Sequence, residues 1–206
     1  MSSPHPPLRE RFPERFLRCA LGLTGFGTGI AFFVRSEIGV PPWDVFHQGV
    51  SMQTGVSIGR VIVLTGLALL LLWIPLRQRP GIGTILNALE IGTVADIALR
   101  IIPEPASLPI RGAMVVAGIL CVAIGSALYI GSGLGPGPRD GLMTGLAARG
   151  IPVRVARTGI EVTVLVVGWL LGGRVGVGTV VFALTIGPLV QWWLPRLAFS
   201  SGSARA

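Results

Sequence analysis

Apolar residues are gathered into long, nearly unbroken runs, not into the period-2 or period-3.6 patterns of half-exposed strands and helices. A helix needs about 17 to 25 mostly apolar residues to cross a bilayer. Six runs reach that length, at residues 16–34, 58–76, 82–102, 110–130, 155–171 and 177–197, and each predicts a membrane-spanning helix. The first is longer than a signal-peptide core and is read as a retained span. Two segments, 42–53 and 138–150, are shorter and more polar: one holds Asp44, His47, Gln48 and Ser51, the other Arg139, Asp140, Thr144 and Arg149. They predict half-helices that dip into the membrane or lie along it. Residues 1–15, with Pro4, Pro6, Pro7 and Pro13, form an arm that is expected to be poorly ordered, 103–109 a linker and 198–206 a tail.

The chain repeats itself. At an offset of 96, Gly22, Gly29, Ser36, Gly39, Pro42, Asp44 and Gly49 meet Gly118, Gly125, Ser132, Gly135, Pro138, Asp140 and Gly145. After a one-residue deletion, Arg79, Gly81, Gly83, Thr84, Ala88 and Gly92 meet Arg174, Gly176, Gly178, Thr179, Ala183 and Gly187. Each copy (16–102 and 110–197) therefore holds three spans and one Pro-x-Asp half-helix. The expected fold is an all-α membrane protein with six transmembrane helices in two inverted three-helix repeats.

Composition narrows the function. Of 206 residues, 51% are hydrophobic and 13% charged, against about 25% charged in average soluble domains, which excludes a soluble globular enzyme. The formal charge of +8 comes from 17 arginines with no lysine, scattered without a dense basic and aromatic stretch, so no nucleic-acid partner is expected. Membrane lipids are the partners this profile implies. With the N-terminus inside, 12 arginines fall inside and 5 outside, in keeping with the positive-inside rule. A parallel arrangement with crossing short segments has the same count. Matching loops of the two copies break the tie, because each pair is unequal in the sense that inversion requires. Both termini are therefore expected in the cytoplasm. Trp73, Trp169, Trp192 and Trp193 end their runs, where indoles are expected to reach the headgroup region.

Candidate chemistry lies in the two Pro-x-Asp elements. Pro42 and Pro138 start helices, and Asp44 and Asp140 are expected to cap them. On one reading that is all they do. On the other, the two helix ends build a polar substrate site between the repeats, with Gly135 and Gly137 allowing close approach and Arg139 suited to an anionic group. Glu90, mid-span opposite the neutral Thr185, is a candidate for a proton or cation path or a partner of Asn87. Asp96 ranks below it, and Arg157 with Glu161, at i and i+4, suits an ion pair. Glycines 22, 25, 29, 118 and 125 read as helix-packing faces. The Gly-x-Gly-Thr turns lack the strand and the Lys of a phosphate loop, and read as turns capped by Thr. Cys19 and Cys121 lie in apolar runs and His5 and His47 are the only histidines, so no disulfide, metal site or cofactor is expected, and no catalytic set appears.

The run Tyr129-Ile-Gly-Ser-Gly-Leu-Gly-Pro-Gly-Pro-Arg-Asp-Gly-Leu-Met143 resembles the bacterial YczE family of membrane proteins, related to the YitT group. Arg157-Thr-Gly-Ile-Glu-Val, Gly176-Val-Gly-Thr and Ile186-Gly-Pro188 extend the likeness, and Gly39-Val-Pro-Pro-Trp-Asp44 is similar to the family's degenerate first motif. The resemblance implies a bacterial plasma-membrane protein, multi-pass, of a family without a settled function. The expected function is transport of a small solute or ion, or service as the substrate-binding membrane subunit of a transporter. Energy would come from a gradient or a separate energy-coupling partner, and a homo-oligomer stays open. The alternative is a non-transporting membrane scaffold or accessory protein.

Overall fold

A computed structural model describes residues 11–199, which form eight helices and, among the described residues, no strand. In order they are α1 (Phe12–Ser36), α2 (Pro42–Thr54), α3 (Ile58–Leu76), α4 (Ile82–Ile101), α5 (Leu108–Gly131), α6 (Pro138–Ala147), α7 (Val153–Leu170) and α8 (Val177–Leu197). Helices α1, α3, α4, α5 and α8 are long and apolar enough to cross a membrane. Helix α7 differs because Arg154, Arg157 and Glu161 fall in its first half. Residues 12–15, expected in the arm, already belong to α1, while 1–10 and 200–206 lie outside the described residues. Arg15 is completely buried there, donating from Nε to the Ser132 carbonyl (2.8 Å) and from Nη2 to the Gly133 carbonyl (2.9 Å). Those carbonyls end α5, where the helix dipole favours a cation.

Helices α1 and α5 form the centre, running antiparallel in backbone contact. A Cβ on Gly22 would lie 2.6 Å from the Gly125 oxygen, and one on Gly29 would lie 2.9 Å from the Gly118 oxygen. The predicted packing faces therefore meet each other, because only glycine lets two helices come this close. Helix α4 packs on α1 and α8 on α5, while α2 packs on α7 and α6 on α3. The short helices thus cross over, each resting on a long helix of the other half. Gly141 of α6 makes room for Trp73 of α3, whose ring carbon Cζ2 would lie 1.8 Å from an added Cβ. Trp73 is accordingly 1% exposed and donates its Nε1–H to the Pro138 carbonyl at 3.0 Å. It is a core residue, not the headgroup anchor expected from its place near the end of a run. Trp169 and Trp192 remain exposed.

Two matching contacts tie the halves together. The Gly83 N–H donates to the Leu134 carbonyl (2.9 Å), and the Gly178 N–H to the Ile38 carbonyl (2.9 Å). The Thr84 hydroxyl donates to the Pro136 carbonyl (2.7 Å), and the Thr179 hydroxyl to the Val40 carbonyl (2.7 Å). Each hydroxyl also accepts an N–H at the start of its own helix, from Gly81 (3.1 Å) or Gly176 (3.2 Å). These are the Thr-capped turns expected from Gly-x-Gly-Thr, and each also clasps the loop leading into the other half's short helix. Gly135, at φ 130°, sits in one clasp, where a Cβ would meet Thr84 Oγ1 at 2.7 Å.

The correspondence fails at one place. Helices α3 and α4 touch through Gly59 and Gly92, whereas α7 and α8 meet marginally at most.

Candidate functional site

Between the halves lies a cavity of about 320 Å³, to which all eight helices contribute side chains, with a side chamber of about 80 Å³. Its floor is formed by the starts of α2 and α6. Pro41 and Gly137 have extended backbones, and Pro42 and Pro138 occupy the first helical turn, where proline loses no hydrogen bond. Neither aspartate caps its helix, contrary to expectation. With Pro42 and Pro138 already the first helical residues, Asp44 and Asp140 fall at the third position and turn to side-chain partners instead. Asp44 Oδ1 is 2.9 Å from His47 Nδ1, and both residues are buried. Asp140 Oδ2 accepts the hydroxyl of Tyr129, the sole tyrosine, at 2.9 Å.

Arg139 projects between these acids. Its guanidinium stacks over the ring of Trp43, 4.7 Å from the centroid, a cation–π contact that leaves the N–H edge free. Among the described residues no hydrogen bond or ion pair engages it. Trp43 and Arg139 are equivalent positions of the two copies, so the two elements meet at corresponding points. His47 Nε2, also buried, has no hydrogen-bond partner among the described residues.

Of the predicted site residues, Asn87, Gly137, Pro138, Arg139, Asp140, Arg157 and Glu161 line the cavity, and Pro42 and Asp44 line the side chamber. Arg157 and Glu161 form the expected pair, Nε to Oε1 3.0 Å, at the cavity edge. Glu90, Asp96 and Gly135 are not brought to it. Glu90 accepts the Thr24 hydroxyl of α1 at 2.9 Å, not a donor from Asn87. Asp96 caps α3, accepting Gly59 N–H (2.8 Å) and the Ser57 hydroxyl (2.5 Å). Sequence reasoning missed Trp43, His47 and Tyr129 as site members; the Asp44–His47 spacing of three, one helical turn, was the available signal. Among the described residues no cluster of three His, Cys, Asp or Glu could hold a metal. The remaining lining is mostly apolar, with Phe26, Ile62, Leu69, Ile91, Val122, Phe182 and Ile186, and is interrupted by Thr65, Ser126 and Gln191. The arrangement can hold a small molecule with one hydrogen-bond-accepting or anionic end and an uncharged remainder.

The family of unknown function DUF6198 matches residues 13–195. An uncharacterized protein of Haemophilus influenzae is 42% identical over 180 residues, covering 87% of this chain and 82% of the relative. The uncharacterized membrane protein YczE of Bacillus subtilis is 32% identical over 181 residues, 85% of this chain and 83% of YczE. The uncharacterized protein YyaS of the same organism is 23% identical over 188 residues, 88% of this chain and 92% of its own. No solved structure matches the chain. The long apolar helices and these matches, together with the resemblance read from the Gly-Pro-Gly-Pro-Arg-Asp-Gly run, agree: the chain is a multi-pass, YczE-like membrane protein and belongs to the DUF6198 family.

Proposed function

We propose that the protein binds a small anionic solute in the cavity between its halves and carries it across the bacterial plasma membrane. The two halves cross in opposite senses with three spans each, α7 included, and α2 and α6 are re-entrant half-helices. Both termini lie in the cytoplasm. The antiparallel contact of α1 with α5 supports inversion, because equivalent helices of parallel repeats would run the same way. The carrying observation for binding is Arg139. A guanidinium within a largely apolar cavity is costly unless its donors are met, and here they face the void while Asp44, Asp140 and Glu161 each have a protein partner. Asp44 and Asp140 beside Arg139 also limit the solute to one negative charge, since these carboxylates would repel a second. The chain has no nucleotide-binding motif, so a gradient or a partner subunit supplies energy.

Uptake of radiolabelled monocarboxylates by proteoliposomes tests the reading. Arg139→Lys and Asp140→Asn should each reduce uptake more than Asp44→Asn, with melting temperatures little changed. Lysine keeps the charge but loses the planar fork. Equal uptake by all variants, or none above protein-free liposomes, refutes it in favour of a scaffold.

A further inference from the structure

The unequal packing of α3 with α4 and α7 with α8 bears on what enters the cavity. Helix α3 meets α4 through Gly59 and Gly92, where added Cβ atoms would lie 2.1 and 2.2 Å from the opposing carbonyl oxygens, and Gly66 lies against Ala88. Asp96 then ties α4 to the start of α3. Aligned on the helix starts Ile58 and Val153, the equivalent positions in the second half are Arg154, Glu161 and Gln191, with Pro152 in place of Ser57. Long charged side chains cannot let backbones approach as glycines do, and the acid that tied the helices is gone. Gly187, the equivalent of Gly92, would have nothing within 4 Å of an added Cβ. Both α7 and α8 still line the cavity, through Arg157, Glu161, Gly187 and Gln191, and Arg157 retains 57% side-chain exposure. The cavity is therefore unsealed on the α7–α8 side, between two helices whose outward residues are largely apolar.

We propose that the ligand is a single-chain amphiphile with a carboxylate head, admitted from the bilayer through the slot between α7 and α8. This rests on the reading of Arg139 as an anion site and adds the apolar body and its route. The head is met by the free edge of Arg139, and the chain lies against Phe26, Ile91, Val122, Phe182 and Ile186. A water-soluble acid would have no use for an opening that faces lipid. A phosphate monoester, with more than one charge, is disfavoured by the neighbouring Asp44 and Asp140.

The test is photo-crosslinking of the full protein in nanodiscs with a diazirine-bearing dodecanoate, mapped by peptide mass spectrometry. Crosslinks should fall on cavity residues of α5 and α8, and should decrease about tenfold or more in Arg139→Gln. Unlabelled dodecanoate should compete, dodecanol and dodecyl phosphate much less. Gly187→Trp, whose Cβ would meet nothing within 4 Å, should slow labelling while leaving the melting temperature unchanged. Butyrate competing as well as dodecanoate would overturn the amphiphile and the slot while leaving the anion site standing. Crosslinks indifferent to Arg139 would overturn both. Cavity crosslinks unaffected by Gly187→Trp would overturn the route, as would crosslinks confined to the outer faces or a second copy found covering α7 and α8.

Discussion

Replacing Thr84 or Thr179 by valine removes one hydroxyl from each clasp while keeping the side-chain shape. Each hydroxyl makes two hydrogen bonds, one accepted from the turn of its own helix and one donated to a loop carbonyl of the other half. Both residues are buried, at 0% and 4% exposure, so water does not readily replace what is lost. An unmet buried group costs about 1–3 kcal/mol in soluble proteins, whereas hydrogen bonds between membrane helices average about 0.6 kcal/mol. Two bonds per site then place the loss at about 1–3 kcal/mol for each variant. Their equivalent geometry predicts equal losses, and the two being independent predicts an additive double variant. Reversible unfolding by sodium dodecyl sulfate in mixed micelles, followed by far-UV circular dichroism, reads these differences directly. Losses below about 0.5 kcal/mol at both sites would refute the reasoning that the clasps hold the halves together.

Single cysteines at Ser51 and Thr144, in a background lacking Cys19 and Cys121, should react with an impermeant reagent from opposite faces; reaction from one face would sink inversion. Gly141→Ala should destabilise by about 1–3 kcal/mol through overpacking against Trp73, and adding Trp73→Phe should recover part of that in a double-mutant cycle by thermal unfolding. Glu37 receives hydrogen bonds from Arg111 (2.7 Å) and lies 3.1 Å from Arg174, and these two arginines hold its carboxyl below the usual carboxylate range. A lowered folded-state value adds stability above the unfolded value of about 4.3 and loses it as the pH falls through the folded one. The melting temperature of the parent protein should therefore fall more steeply in acid than that of Glu37→Gln. Glu90→Gln should leave ligand binding unchanged, since Glu90 bonds Thr24 outside the cavity; a loss of binding in a folded variant would return it to the site.

The long helices and the short ones were legible because apolar length and proline position act along the chain, residue by residue. Pro42 and Pro138 marked the helix starts to the residue, and the same count shows why Asp44 and Asp140 are three positions too late to cap. Facing partners were not legible. Trp73 at the end of a run looks like a headgroup anchor until Gly141, 68 positions further on by number, is seen to leave a hollow for its ring. Glu90 and Asp96 were flagged because charges in apolar runs are costly, yet hydroxyls on neighbouring helices absorb both. The openness of the α7–α8 side was written in Arg154, Glu161 and Gln191, but only comparison with a packed α3–α4 pair makes those residues informative.

The contact of Trp43 with Arg139 shows what a single chain carrying both halves can do that a symmetric dimer cannot. Two identical protomers meeting about a twofold axis must set like against like: indole on indole, or guanidinium on guanidinium with its repulsion. Joined in one polypeptide, the same point can take a cation from one side and an aromatic face from the other. Covalent linkage thus turns a self-complementary seam into a directional one, with a cation on one side and an aromatic face on the other.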